Sequence, residues 1–250
     1  MKTSLLVSLC VAGTAFAQSS PPAIIPMPSA DCITALKLNT ATYPAPRMEY
    51  FIGVNTTNEN AHKIADSIQL VFDGDSITNQ WQSAGKAVWE ERYGQLHPFD
   101  FGIPGDKTQN LLWRLSQGQM AGIRPKLIAL MIGTNNSGRP NEEVADGVKA
   151  IVADYQKRCP ESVILLQGIF PCGEQPTNPA RVRIKAINQI LSKLGDEKNV
   201  IYIDFGDKFL NPDGTMSKEI MPDFLHPSAK GYQIWADAIQ PVIDKYFPAK

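Results

Sequence analysis

Five short apolar runs, separated by stretches of helical period, constrain this chain more than any other feature. They are "IQLVF" (68–72), "FDFGI" (99–103), "KLIALMI" (126–132), "SVILLQGI" (162–169) and "VIYIDF" (200–205). Short runs this rich in apolar and β-branched residues read as strands. Between them the apolar spacing becomes helical. Val144, Val148, Ile151, Val152 and Tyr155 form one stripe, and Ile184, Ile187, Leu191 and Leu194 a second. Tyr232, Trp235, Ile239, Val242 and Ile243 form a third, with Pro241 inside it and expected to kink it. Strand and helix in alternation predict a parallel sheet covered on both faces. Right-handed crossovers then give a doubly wound α/β fold, a three-layer α/β/α sandwich. Ligand sites in such folds gather at the carboxyl ends of the strands.

The N-terminus reads differently. "MKTSLLVSLCVAGTAFAQSS" has one Lys, an apolar stretch and the small-x-small ending Ala15-Phe16-Ala17. That is the pattern of a signal peptide over residues 1–17, and it predicts a secreted or periplasmic protein. The stretch is too short to span a bilayer comfortably. Residues 18–62, rich in Ser, Pro, Thr and Asn and with little period, are expected to form an N-terminal extension over the domain. The remainder, 63–250, is expected to be one domain. A net charge of −1, with no basic run, does not suggest nucleic acid or an anionic membrane as partner. After cleavage Cys32, Cys159 and Cys172 would remain; export permits a disulfide, and the pairing is open. No cysteine–histidine spacing suggests zinc.

Four polar stations fall where strands end. "GDS" closes the first strand, "GIPGD" (102–106) follows the second, "GTNN" (133–136) the third, and "DFLHP" (223–227) lies after the fifth. Ser76 at a strand-to-helix turn can present its oxygen at the sheet edge. Taken alone it would be a helix cap. Of three histidines, His62 and His97 read as surface or packing residues. His226 has Asp223 three residues before it. On a tight turn that carboxylate can hold Nδ1–H and leave Nε2 free. Pro227 biases His226 away from helix and is expected to open the next one. Gly105 can point a backbone N–H into the site ahead of a helix whose expected cap is Asp106, and Asn135 can add an amide donor. Each alone is an ordinary turn residue. Together they supply nucleophile, oxyanion donors and an acid–base pair.

"GDSIT", "GIPGD", "GTNN" and "DFLHP" together resemble the four blocks of the SGNH (GDSL-type) hydrolases. The residues that match that family's Ser, Gly, Asn and His are Ser76, Gly105, Asn135 and His226, with Asp223 matching the triad acid. Residues 101–138 are particularly similar to the catalytic subunits of intracellular platelet-activating-factor acetylhydrolase and their bacterial relatives. The resemblance covers about residues 66 to 245. It implies a flavodoxin-like five-stranded parallel sheet, a serine acyl-enzyme mechanism without metal or other cofactor, and a preference for small acyl groups such as acetate. Pro104 departs from the pattern, standing where those relatives usually carry glycine. The N-terminal leader also has no counterpart in the intracellular enzymes, so their lipid substrate and subunit partners do not carry over. Acetylated carbohydrate is the expected substrate class, and the absence of a long apolar lid disfavours a long-chain lipase.

"VFDGDSI" also resembles the first motif of haloacid-dehalogenase-type phosphatases. There Asp73 would be the nucleophile, Asp75 the general acid, and Mg²⁺ would bridge them to phosphate. Ile77 stands where Thr or Val is expected, and that reading leaves Gly105, Asn135 and the Asp223–His226 pair without a task. Under the esterase reading Asp75 holds the turn through backbone N–H groups, and Asp73 is expected at the rim or as a cap. A third reading is a non-catalytic carbohydrate-binding protein, with Trp81 and Trp89 stacking on sugars; their preferred role is helix packing.

Overall fold

The computed structural model describes residues 39–248. The leader at 1–17 and Cys32 lie outside the described residues. In chain order the main elements are α1 (Phe51–Lys63), β1 (Leu70–Gly74), α2 (Ser76–Asn79), α3 (Lys86–Tyr93), β2 (Pro98–Asp100) and α4 (Thr108–Ser116). Then come β3 (Leu127–Met131), α5 (Asn141–Arg158), β4 (Val163–Gln167), α6 (Pro179–Leu191), β5 (Val200–Ile203) and α7 (Ala229–Tyr246). The strands form one parallel sheet in the order β2-β1-β3-β4-β5, the flavodoxin-like arrangement.

Period two along each strand sends alternate side chains to opposite layers. Val71, Ile128, Leu130, Ile164 and Leu166 meet α4, α5 and α6, whose stripe Val144, Val148, Ile151, Val152 and Tyr155 is fully buried. Leu70, Phe72, Leu127, Ala129 and Met131 face the other way, toward α3 and α7. That second layer is aromatic. Trp81 lies 4.5 Å from Tyr232 and 4.9 Å from Trp235 between ring centroids, and Trp89 lies 4.9 Å from Phe72. Both tryptophans are therefore spent on packing rather than presented to a sugar.

Three local expectations change. The extension is not without period: α1 buries Val54, Asn58 and Ala61, at i, i+4 and i+7, and the polar middle member hid the stripe. The second strand ends at Asp100, although Phe101 N–H still donates to Phe72 O at 2.8 Å and Ile103 N–H to Gly74 O at 3.2 Å. The last helix starts at Ala229, capped by the Ser228 hydroxyl rather than opened by Pro227, and it continues through Pro241 to Tyr246. Cys159 and Cys172 are both free thiols.

Candidate active site

The strand order decides what can meet Ser76. β1 lies between β2 and β3. Its carboxyl end is therefore flanked by the loop after β2, which carries Gly105, and the loop after β3, which carries Asn135. The β1/β3 boundary is also where the strand order reverses, the crevice that open α/β sheets use for ligands. Ser76 is the first residue of α2, so its backbone N–H has no acceptor within that helix. Gly74 has to be glycine: a Cβ there would stand 2.2 Å from Met131 O.

His226 comes from 150 residues away, and α7 delivers it. The Tyr232 hydroxyl donates to Ile77 O at 2.6 Å, tying the first turns of α7 to the serine helix. Ser76 Oγ then lies 2.8 Å from His226 Nε2, and His226 Nδ1 lies 2.6 Å from Asp223 Oδ2. The other Asp223 oxygen accepts the N–H groups of Leu225 and His226 at 3.0 and 2.8 Å. This turn places Phe224 at φ 60°, a left-handed conformation that costs a bulky residue about 1–2 kcal/mol. Gly173 N–H, donating to Phe224 O at 2.8 Å, and Phe224 N–H, donating to Met221 O at 2.9 Å, hold it there. Burial pulls the Asp223 carboxyl upward, but its hydrogen bonds to His226 prevail and keep it below the usual carboxylate range.

The loops expected to supply the oxyanion donors are as closely specified. Asp106 N–H donates to Ile103 O at 3.1 Å, and Gly105 has φ +76°. That is a type II turn with Pro104 and Gly105 at its centre. Asn135 Nδ2 donates to Asp106 O at 3.0 Å and to Asp75 Oδ2 at 3.3 Å. In this state its amide hydrogens are therefore directed to the two neighbouring loops. The helix after Gly105 is capped at Lys107, with Asn110 Oδ1 accepting from Lys107 N–H, and not at Asp106. His62 bonds Gly118 O from the surface of α1, and His97 sits at φ 51° before β2; neither joins the site. A cavity of about 380 Å³ at the ends of β4 and β5, lined by Arg181, Lys185, Asp204 and Asp207 among others, includes none of the triad residues.

The two aspartates of "DGDS" part company. Asp75 is buried and accepts Ile77 N–H at 3.0 Å, which holds the turn. Burial pushes its carboxyl up to about 7. The folded protein thus holds this proton at pH values where the unfolded chain, near 3.8, has lost it. Stability from this group is full below about pH 4 and declines as pH rises toward 7. The wild type should lose about 3 kcal/mol relative to Asp75→Asn between pH 4 and 7.5, measured by urea unfolding at both pH values.

Asp73 is neither rim nor cap: it is 0% exposed. One oxygen accepts Arg114 Nη2 at 2.9 Å and Gly74 N–H at 2.8 Å, and the other accepts from Gln119 and the Tyr155 hydroxyl. Arg114, itself 2% exposed, also donates to Asp106 Oδ2 at 2.8 Å. Burial alone would lower the guanidinium pKa, but Asp73 and Asp106 outweigh it and raise it. A carboxylate walled in this way has no path to a phosphate, which removes the nucleophile from the phosphatase reading. Among the described residues no group of three His, Cys, Asp or Glu side chains is placed to hold a metal ion. Arg114, Gln119 and Tyr155 were not singled out from sequence. The one available signal was a charged residue inside the apolar stripe of "NLLWRL".

A doubly wound sheet carrying serine, histidine and carboxylate in relay at one edge, beside backbone and amide donors, defines a hydrolase fitted to acyl transfer. Residues 72–234 match the GDSL-like Lipase/Acylhydrolase family, and the chain belongs to that family of carboxylic ester hydrolases. It is 40% identical over 164 residues to platelet-activating factor acetylhydrolase IB subunit alpha2 of Rattus norvegicus, covering 65% of this chain and 70% of that protein. It is 37% identical over 165 residues to subunit alpha1 of Bos taurus, covering 66% and 70%. Among solved structures, a catalytic mutant of an acetylxylan esterase from Geobacillus stearothermophilus shares the fold. Its TM-score is 0.56 at 19% identity, over 73% of this chain and 95% of that one.

Proposed function

We propose that this is an exported serine esterase that removes short acyl groups, acetyl first among them, from a carbohydrate alcohol. The observation that carries the chemistry is the unbroken relay from Ser76 Oγ through His226 to Asp223, with steps of 2.8 and 2.6 Å. Ser76 Oγ attacks the ester carbonyl while His226 Nε2 takes its proton. Asp223 fixes the imidazole tautomer and stabilises the imidazolium. The N–H groups of Ser76 and Gly105 and the Asn135 amide receive the oxyanion; Asn135 gives up its longer bond, to Asp75, to do so. His226 returns the proton to the leaving alcohol, and water activated by the same imidazole then releases the acid. The site needs no metal for any of these steps.

The acetyl preference is supported by the two relatives named as acetylhydrolases. The carbohydrate alcohol is supported by the export proposed from residues 1–17, and the structural neighbour named as an acetylxylan esterase is consistent with it. Export rests on the pattern of residues 1–17. A second reading, an acetylated glycerophospholipid such as platelet-activating factor, is favoured by the same identity to the acetylhydrolase subunits. Acetate release from acetylated xylo-oligosaccharides and from platelet-activating factor, with p-nitrophenyl acetate, butyrate and octanoate alongside, separates the two. The oligosaccharides should be turned over, the lipid far more slowly, and the aryl esters at rates falling with chain length. Preference for the lipid would replace the carbohydrate reading with the second one.

A further inference from the structure

Arg47 lies outside the stretch that matches the family, in the segment before α1, yet it reaches the oxyanion loop. Its Nη1 donates to Pro104 O at 2.5 Å and pairs with Asp106 Oδ1 at 3.4 Å. The guanidinium stacks 4.3 Å above the Tyr50 ring and pairs with Glu49 at 3.1 Å. It also covers Gly105, where an added Cβ would stand 2.8 Å from Nη1. The segment is docked along its length. Ala45 N–H donates to Gln109 O at 3.0 Å, Asn110 Nδ2 to Ala45 O at 2.9 Å, and Thr108 Oγ1 to Ala41 O at 2.9 Å.

Pro104 O and the Gly105 N–H belong to one peptide unit. In a trans peptide these two groups point in opposite directions. This unit is also the central peptide of the type II turn, the one that rotates when a type II turn converts to type I. Whatever grips Pro104 O therefore aims the Gly105 N–H. A cation on the carbonyl also polarises the peptide and makes its N–H a stronger donor.

We propose that Arg47 is a positioning residue of the esterase site: by holding Pro104 O it keeps the Gly105 N–H aimed at the oxyanion, which makes the N-terminal segment part of the active site. Asp106 completes the clamp, held from the surface by Arg47 and from the core by Arg114. The proposal rests on the esterase reading of Ser76.

The test uses the full chain with Arg47→Ala, Arg47→Lys and, as a control for surface charge, Glu59→Gln on the exposed face of α1, on p-nitrophenyl acetate. Losing an oxyanion donor outright lowers kcat about 100- to 1,000-fold, so a donor left present but unaimed should lose about 10- to 100-fold. We expect that loss in kcat for Arg47→Ala, with KM within about twofold. Arg47→Lys, which can still donate to Pro104 O, should recover part of it, as should millimolar guanidinium added to Arg47→Ala. Glu59→Gln should match the wild type. Unchanged kcat in Arg47→Ala, or a loss that neither Lys nor guanidinium restores, overturns the proposal. An inactive wild type would instead overturn the esterase reading itself.

Discussion

Ser76→Ala is expected to lower kcat on p-nitrophenyl acetate by about 10⁴- to 10⁶-fold while leaving the fold intact. The Ser76 hydroxyl is hydrogen-bonded to His226. The backbone N–H at position 76 and the Asp75 cap survive the substitution. The residual rate would come from the oxyanion donors and from water. A change in melting temperature below about 2 °C would accompany it, because the side chain fills no cavity in the core. The same preparations assayed on p-nitrophenyl phosphate, with and without EDTA, should show no turnover. Phosphate cleavage lost on replacing Asp73 would revive the phosphatase reading.

The second large effect falls on stability. Arg114→Met should destabilise the protein by about 3–5 kcal/mol, read from urea unfolding near neutral pH. The substitution removes the cation shared by two buried carboxylates: Asp73 loses its cationic partner, and Asp106 keeps only Arg47, 3.4 Å from its other oxygen. Arg114→Lys should recover only part of this. Arg114 uses Nε toward Asp106 and Nη2 toward Asp73, a fork that a single ammonium cannot reproduce. A loss below about 1 kcal/mol for Arg114→Met would mean that the network adds little to the stability of the sheet edge.

The same network shows why the sequence was legible in some places and opaque in others. Strand and helix positions follow from local period, and the buried stripe from Val144 to Tyr155 lies where the spacing puts it. Three of the polar stations were legible because each follows the end of a strand, and parallel topology brings strand ends together; the fourth, at 223–227, lies well past β5 and was legible from its D-x-x-H spacing before the last helix. Asp73 was misplaced because its setting depends on Arg114, Gln119 and Tyr155, which lie 41, 46 and 82 residues away. No periodicity encodes such pairings. Arg47 was invisible for a related reason: it acts from a Pro-rich segment on a backbone carbonyl, which has no side-chain signature. The helix at 51–63 was hidden by Asn58, a polar residue on a buried face.

The central claim is that Ser76 is the nucleophile. The most direct measurement is labelling of the purified protein with a fluorophosphonate, followed by intact mass and peptide mapping. One adduct per chain, on Ser76, formed in the presence of EDTA and together with loss of esterase activity, is the predicted result. An adduct on another residue, or full loss of activity with Ser76 unmodified, would contradict it.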